Sequence, residues 1–351
     1  MAEIKSRNFG LDVVRAISIA LVFISHRFDI PYELGLVGVQ VFFVLSGFLI
    51  GQILLKEFKS GIDFGRIVRF WKRRWLRIVP LYYFVLIAKM VIYGNPYGWK
   101  IIAYFLFLQA NVVGIKYLPV SWSLVVEEWF YIFLPIALFI VVKLGVKFTR
   151  YLNYLLLIIA LVFTARFLWN YFGKGVIIYQ FDCLIIGVVF AYIKMTMNEM
   201  YERLKGPLFF LIGLCSTIYL SLLSENIHHL PMIAPFYKVT WCLLLSVSVS
   251  FMIPFIESNS IINVELKKVR PIYYIFTWTS ILTYSIYLLH MELFRIPVWH
   301  LGIFTLPVQI FLLYTICLMV YALFESPMLS LRENFSIKQY VKTIRNFSFK
   351  V

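Results

Sequence analysis

Ten apolar stretches long enough to cross a bilayer follow one another along this chain, at residues 11–30, 36–56, 78–94, 122–142, 151–170, 177–194, 208–223, 236–256, 272–291 and 303–325. A bilayer core of about 30 Å takes roughly 20 helical residues to cross, and in hydrocarbon each backbone polar group has to be satisfied within its own segment. The repeated pattern therefore predicts an all-α polytopic integral membrane protein. Composition agrees: 62% of the 351 residues are hydrophobic and the mean hydropathy is +0.86, well above a soluble chain. No polar stretch is long enough for a separate soluble domain. Residues 1–335 read as one transmembrane domain and 336–351 as a basic cytoplasmic tail. MAEIKSRN at the start is polar, so no cleavable signal peptide is expected.

Charge orients the spans. The 33 Lys and Arg outnumber the 17 Asp and Glu, a formal charge of +16. In a membrane protein such an excess marks loops facing the cytoplasm and anionic lipid rather than nucleic acid. One further apolar segment, 101–114, is too short to assign by length. If it does not span, the strongly basic stretches all face one side: the N-terminus, 56–77, 143–150, 194–205, 267–270 and the tail after Arg332. If it spans, they are split. The expectation is therefore about ten transmembrane helices with both termini cytoplasmic, and a short interfacial or re-entrant segment near 101–114. Cys183, Cys215, Cys242 and Cys317 are scattered through apolar segments and read as small hydrophobes, not metal ligands. No metal is expected.

Ionisable residues inside those spans are costly and rare, so they are the candidates for function. In RAISIALVFISH (15–26), Arg15 and His26 are eleven positions apart. At 100° per residue they fall within about 20° of one face, roughly 16 Å apart along the axis. The plainer alternative is a snorkelling Arg and a His bonded to a nearby carbonyl. In SWSLVVEEWFY (121–131), Glu127 shares its face with Ser123 and Tyr131, whereas Glu128 points about 100° away. Glu127 reads as the functional carboxylate and Glu128 as helix-pair glue. The run RFWKRRWLRIVP (69–80) places Arg69, Arg73, Arg74 and Arg77 at the cytoplasmic start of a span. About half of such charges act only as positive-inside anchors, but Arg forks also suit phosphate. Gly38, Ser46, Gly47 and Gly51 read mainly as close-packing residues, with Ser46 a possible ligand donor. Asp182, Tyr284, His290 and Glu325 complete the set, and His228-His229 reads as a solvated loop. Neither a phosphate-binding Gly-rich loop nor a zinc-protease or nucleophile-elbow motif is present.

In this order the motifs resemble the membrane acyltransferase-3 family. The likeness rests on Arg15-x10-His26 after LD, on FFVLSGFLI, RRWLRIVPLYY, WSLVVEEWFY, FDCLIIG and YSIYLLH, and on the terminal FESP. Trp129 departs from the family's usual Gln. An appended extracytoplasmic domain is not expected, which would make this the stand-alone form. The resemblance implies a bacterial inner-membrane O-acyltransferase. It would move an acyl group, usually acetyl, from cytoplasmic acyl-CoA to a lipid-linked or extracytoplasmic carbohydrate.

On that basis acetyl-CoA, the donor substrate, would place its phosphates on Arg74 and Arg77, with Arg69, Arg73 and Ser46 assisting. Its pantetheine arm would pass Arg15 towards His26. His26, oriented by Glu127, would serve as general base or as acyl carrier. Asp182, Tyr284 and His290 are the candidates on the acceptor side. Two other classes use the same residues differently: a glycan or metabolite transporter, and a non-catalytic partner of a polysaccharide synthase. Inverted-repeat symmetry, which would favour a transporter, is not visible.

Overall fold

The structure is a computed structural model that describes residues 7–28, 32–61, 63–168, 180–227, 234–295 and 304–331. The basic tail and His228-His229 lie outside the described residues. The main helices are α1 (Phe9–Phe28), α2 (Tyr32–Lys59), α3 (Phe64–Tyr93), α4 (Ser121–Lys143), α5 (Tyr151–Leu168), α6 (Phe181–Thr196), α7 (Asn198–Leu204), α8 (Pro207–Ile227), α9 (Ala234–Ser258), α10 (Arg270–Leu293) and α11 (Thr305–Val320). Among the described residues there is no strand, and nine helices are long and apolar enough to cross a membrane. A tenth crossing results if α6 and α7, which meet at 118°, form one span. The chain is an all-α, multi-pass membrane protein, as its hydropathy predicts.

Two compact units divide the chain: Met1–Ile62 with Val126–Ser280, and Asp63–Val125 with Ile281–Val351. In the first, glycines let backbones meet. A Cβ on Gly47 of α2 would run into the Leu184 carbonyl of α6, and one on Gly187 of α6 into the Val44 carbonyl. Gly51 is packed less tightly, its added Cβ 3.0 Å from Ala191 Cβ. Small residues at such crossings compensate for the weak hydrophobic drive between helices in lipid. α5 and α6 are joined by Arg166 and Asp182, 2.6 Å apart and both buried. Where the chain turns from α6 into α7, Lys194 pairs with Glu257 of α9 at 2.5 Å, and Tyr201 donates to the same carboxylate at 2.7 Å.

In the second unit α3 starts well before its apolar part. Asp63 caps it by accepting the Arg66 N–H at 2.9 Å. Arg, Lys and Leu are good helix formers, so the basic run 64–77 continues the helix instead of forming the loop that hydropathy suggests. Segment 101–114 is broken into one-turn pieces, Gly98–Ile101, Ile102–Phe105 and Gln109–Val112, and does not form a spanning helix. Hydrogen bonds tie it to α3: Tyr82 and Tyr83 donate to the carbonyls of Tyr104 and Phe105 at 3.1 and 2.6 Å. Phe107 takes a left-handed φ of 54°, held by its stack on Tyr82 at 4.7 Å. Burial pushes the Tyr104 phenol up to about 12. It stays protonated and donates to the Gly114 carbonyl at 2.8 Å.

Candidate active site

In the first unit the site residues start on α1. Asn8 opens this helix by accepting the Leu11 N–H at 3.1 Å. Arg15 is half-buried and His26, near the far end, is exposed. Ile19 and Val22, at i+4 and i+7 from Arg15, occupy the stripe between them and are only 2% and 0% exposed. The stripe therefore faces protein. The opposite face carries Ile17, which is 50% exposed. His26 lies nine residues from Ile17, about 180° around the helix. Its exposure thus belongs to the protein-facing side and not to the side Ile17 turns outward. An exposed imidazole has the access that a general base requires.

Glu127 on α4 is half-buried and Glu128 fully buried. One turn beyond Glu127, Tyr131 shares a 2.6 Å hydrogen bond with Ser46 of α2. Ser46 is thereby fixed beside the glycine contact at Gly47, and the α4 stripe is tied to α2. Asp182, sequestered with Arg166, is engaged in joining helices.

The second unit carries the basic cluster. Arg69, Arg73 and Arg77 are exposed, whereas Arg74 is half-buried, its guanidinium 5.8 Å from the Phe70 ring centre. Arg74 and Arg77 lie about 60° apart on the helix, and Arg77 is near enough to Glu325 to act on it electrostatically. Such a pair of forks suits a phosphate group. Glu325 accepts from Ser285 of α10. Tyr284 donates to the Ile78 carbonyl at 2.7 Å, joining α10 to α3. His290 is fully buried, its Nδ1 3.0 Å from the Ile286 carbonyl one turn back. Tyr287 and Ser123 share a 2.6 Å hydrogen bond in the same unit.

Sequence reasoning overlooked several charged partners. Asp12 accepts from both Arg7 and Arg15. Arg166 balances Asp182, and buried Lys89 pairs with Glu292. A signal was present for two of them: Arg166 and Lys89 each interrupt an apolar span, and an intramembrane charge calls for an opposite one. Asp12 gave less warning because it adjoins the polar N-terminus. Among the described residues no cluster of His, Cys, Asp or Glu is placed to hold a metal ion.

Comparison with known proteins places this sequence in a family. Curated relatives are 31–33% identical to this chain over 37–38% of its length. The peptidoglycan O-acetyltransferase OatA of Listeria monocytogenes is 31% identical over 154 residues, 38% of this chain and 24% of the relative. The O-acetyltransferase OatA of Staphylococcus aureus is 31% identical over 154 residues, 37% of this chain and 24% of the relative. The matched region thus spans about a quarter of the length of these relatives. No solved structure matches. The acyltransferase domain profile matches residues 8–326, which includes α1 with Arg15 and His26, the basic start of α3, and Glu127. The chain belongs to the acyltransferase-3 family.

Proposed function

We propose that this protein is an O-acyltransferase of the bacterial cytoplasmic membrane. It takes an acyl group, acetyl in the usual case, from cytoplasmic acyl-CoA to a hydroxyl of a lipid-linked or surface glycan. The observation that carries the reading is the α1 stripe: an accessible imidazole lies in line with a cation on the protein-facing side of the helix. The family match and the O-acetyltransferase relatives support the reaction class.

In this reading both termini and the basic start of α3 face the cytoplasm. Arg74 and Arg77 hold the donor's phosphates, and Arg69 and Arg73 strengthen the local field. Arg15 lies along the path of the pantetheine arm. His26, oriented by Glu127, accepts the proton of the acceptor hydroxyl as its oxygen attacks the thioester carbonyl. The C–S bond then breaks and the CoA thiolate leaves, taking up the proton from His26. If His26 is acylated first, the imidazole nitrogen attacks the thioester and CoA departs as the thiolate; the sugar hydroxyl then displaces the imidazole, and its proton ends on the CoA thiolate. Asp182, Tyr284 and His290 are the candidates on the acceptor side.

The test is purified protein in lipid nanodiscs with acetyl-labelled CoA. The expected result is protein-dependent loss of label from CoA, accelerated by a glycan acceptor. Protein that leaves acetyl-CoA intact while moving a labelled glycan across a vesicle membrane would replace this reading with a transporter. Intact acetyl-CoA with no glycan movement would favour a synthase partner.

A further inference from the structure

At the far end of α3 from its basic start, charged and aromatic side chains gather that none of the motifs singles out. Lys89 is 5% exposed and pairs with Glu292 of α10. Its ammonium lies 5.4 Å from the centre of the Tyr117 ring and 5.7 Å from that of Tyr93. Glu292 also accepts from Arg295 Nη1 at 3.1 Å, and the Arg295 guanidinium lies 5.5 Å from the Tyr93 ring centre. Tyr97, Tyr104 and Tyr117 pack ring against ring, with centres 5.9–6.1 Å apart. Rings and ion pair thus form one continuous cluster within the second unit. Tyr93 follows Arg77 by 16 residues, about 24 Å of helix.

The cluster has an open side. Tyr93 is 53% and Trp99 80% exposed. Gly94 and Gly98, at φ 78° and 54°, turn the chain between them, and a Cβ on either would meet nothing within 4 Å. The turn is nevertheless fixed. Asn95 accepts the Tyr97 N–H at 3.0 Å and donates to the Gly98 carbonyl at 2.9 Å, and Tyr117 donates to the Gly94 carbonyl at 2.7 Å. Burial and the Glu292 carboxylate push the Tyr117 phenol up, so it stays protonated and keeps that bond.

Tyr and Trp also collect where helices leave lipid. A belt of that kind turns its rings to the bilayer, where ionised groups are costly. Here one carboxylate and two cations interleave with the rings. Rings with charged edges suit a saccharide: the C–H face of a pyranose stacks on an aromatic ring, and its rim of hydroxyls bonds to carboxylate and guanidinium. Stiff aromatic side chains already held by their neighbours cost little to order.

We propose that Tyr93, Tyr97 and Trp99, with Glu292 and Arg295 at their edge, form a saccharide-binding surface that seats the acceptor glycan. Lys89, being buried, positions Glu292. The acceptor role rests on the acyl-transfer reading above, in which this end of α3 is extracytoplasmic.

The experiment measures binding and turnover on the full chain in nanodiscs, with tetrasaccharides of glucose, galactose, mannose and N-acetylglucosamine as probes. At least one is expected to bind and to accelerate loss of label from acetyl-CoA. For that sugar, Tyr93→Ala and Trp99→Ala each raise Kd and acceptor KM about tenfold, the value of one aromatic contact, while CoA keeps its wild-type Kd. Tyr93→Phe and Trp99→Phe, which keep a ring, retain most of the affinity. Arg295→Gln weakens binding about fivefold, the effect of one edge hydrogen bond. Tyr93, Trp99 and Arg295 are exposed, so these variants fold. No binding by any probe, or wild-type Kd in both alanine variants, overturns the proposal. Alanine variants that change only the melting temperature in lipid mark membrane anchors and overturn it as well. Ring-dependent binding without any consumption of acetyl-CoA leaves the surface standing and removes the acyl-transfer reading. Ring-independent binding with normal consumption does the reverse.

Discussion

On the proposed reading Arg74 and Glu127, both half-buried, divide into binding and chemistry. Arg74 offers a guanidinium fork beside the Phe70 ring, so Arg74→Ala should raise the KM for acetyl-CoA about tenfold, the effect of one lost charge-assisted contact, with kcat little changed. Unchanged KM in a steady-state assay would remove the phosphate role. Glu127→Gln should do the opposite. It keeps shape but removes the charge that orients the base, so kcat falls about 10²-fold while KM stays near wild type. Glu128→Gln, at the buried neighbour, should instead lower the melting temperature in detergent. If the two glutamates exchange these effects, the assignment of roles is reversed. Sequence periodicity puts the two glutamates on different faces, because adjacent helical residues cannot share one. It could not reveal Asp12 behind Arg15, since a carboxylate close to a polar N-terminus looks the same whether solvated or buried.

At the scale of the helix, legibility follows solvation. Apolar length reveals where a helix must cross lipid, and α2, α4 and α9 sit where hydropathy puts them. Hydropathy misses what extends past the lipid. α3 begins at Phe64, well before its apolar part at 78, because Arg, Lys and Leu continue a helix that Asp63 has capped. It also misses the 118° turn after Thr196, which depends on Lys194 and Tyr201 both reaching Glu257 on another helix. Close approach was legible in Gly47 and Gly51, though their partner helix was not. Gly47→Val should therefore separate α2 from α6 and lower stability by at least 1–3 kcal/mol, the usual cost of overpacking, read by unfolding in detergent. A neutral effect would mean that the helices are not in backbone contact. For the α5–α6 ion pair, Asp182→Leu alone leaves a buried guanidinium without its partner and should cost about 3–5 kcal/mol, whereas Asp182→Leu/Arg166→Met should recover much of it. If the double variant is the less stable, Asp182 does more than balance Arg166.

Across the whole molecule, the account needs a sided protein: a donor arriving at the basic face and an acceptor at the other. The charge distribution predicts this arrangement. In a cysteine-free background, Lys59→Cys, Lys147→Cys and Lys268→Cys should react with a membrane-impermeant maleimide from one side only, and Tyr97→Cys from the other. Labelling of Lys59→Cys and Lys147→Cys from opposite sides would mean that segment 101–114 crosses after all. The central claim is chemical, and it rests on one side chain: His26, accessible on the protein-facing side of α1 in line with Arg15. Its most direct test is the turnover of acetyl-labelled CoA by His26→Ala protein that inserts and melts like wild type. The account predicts a loss of at least 10²-fold in kcat, the contribution of a general base, with CoA binding retained. Wild-type turnover by that variant would contradict it.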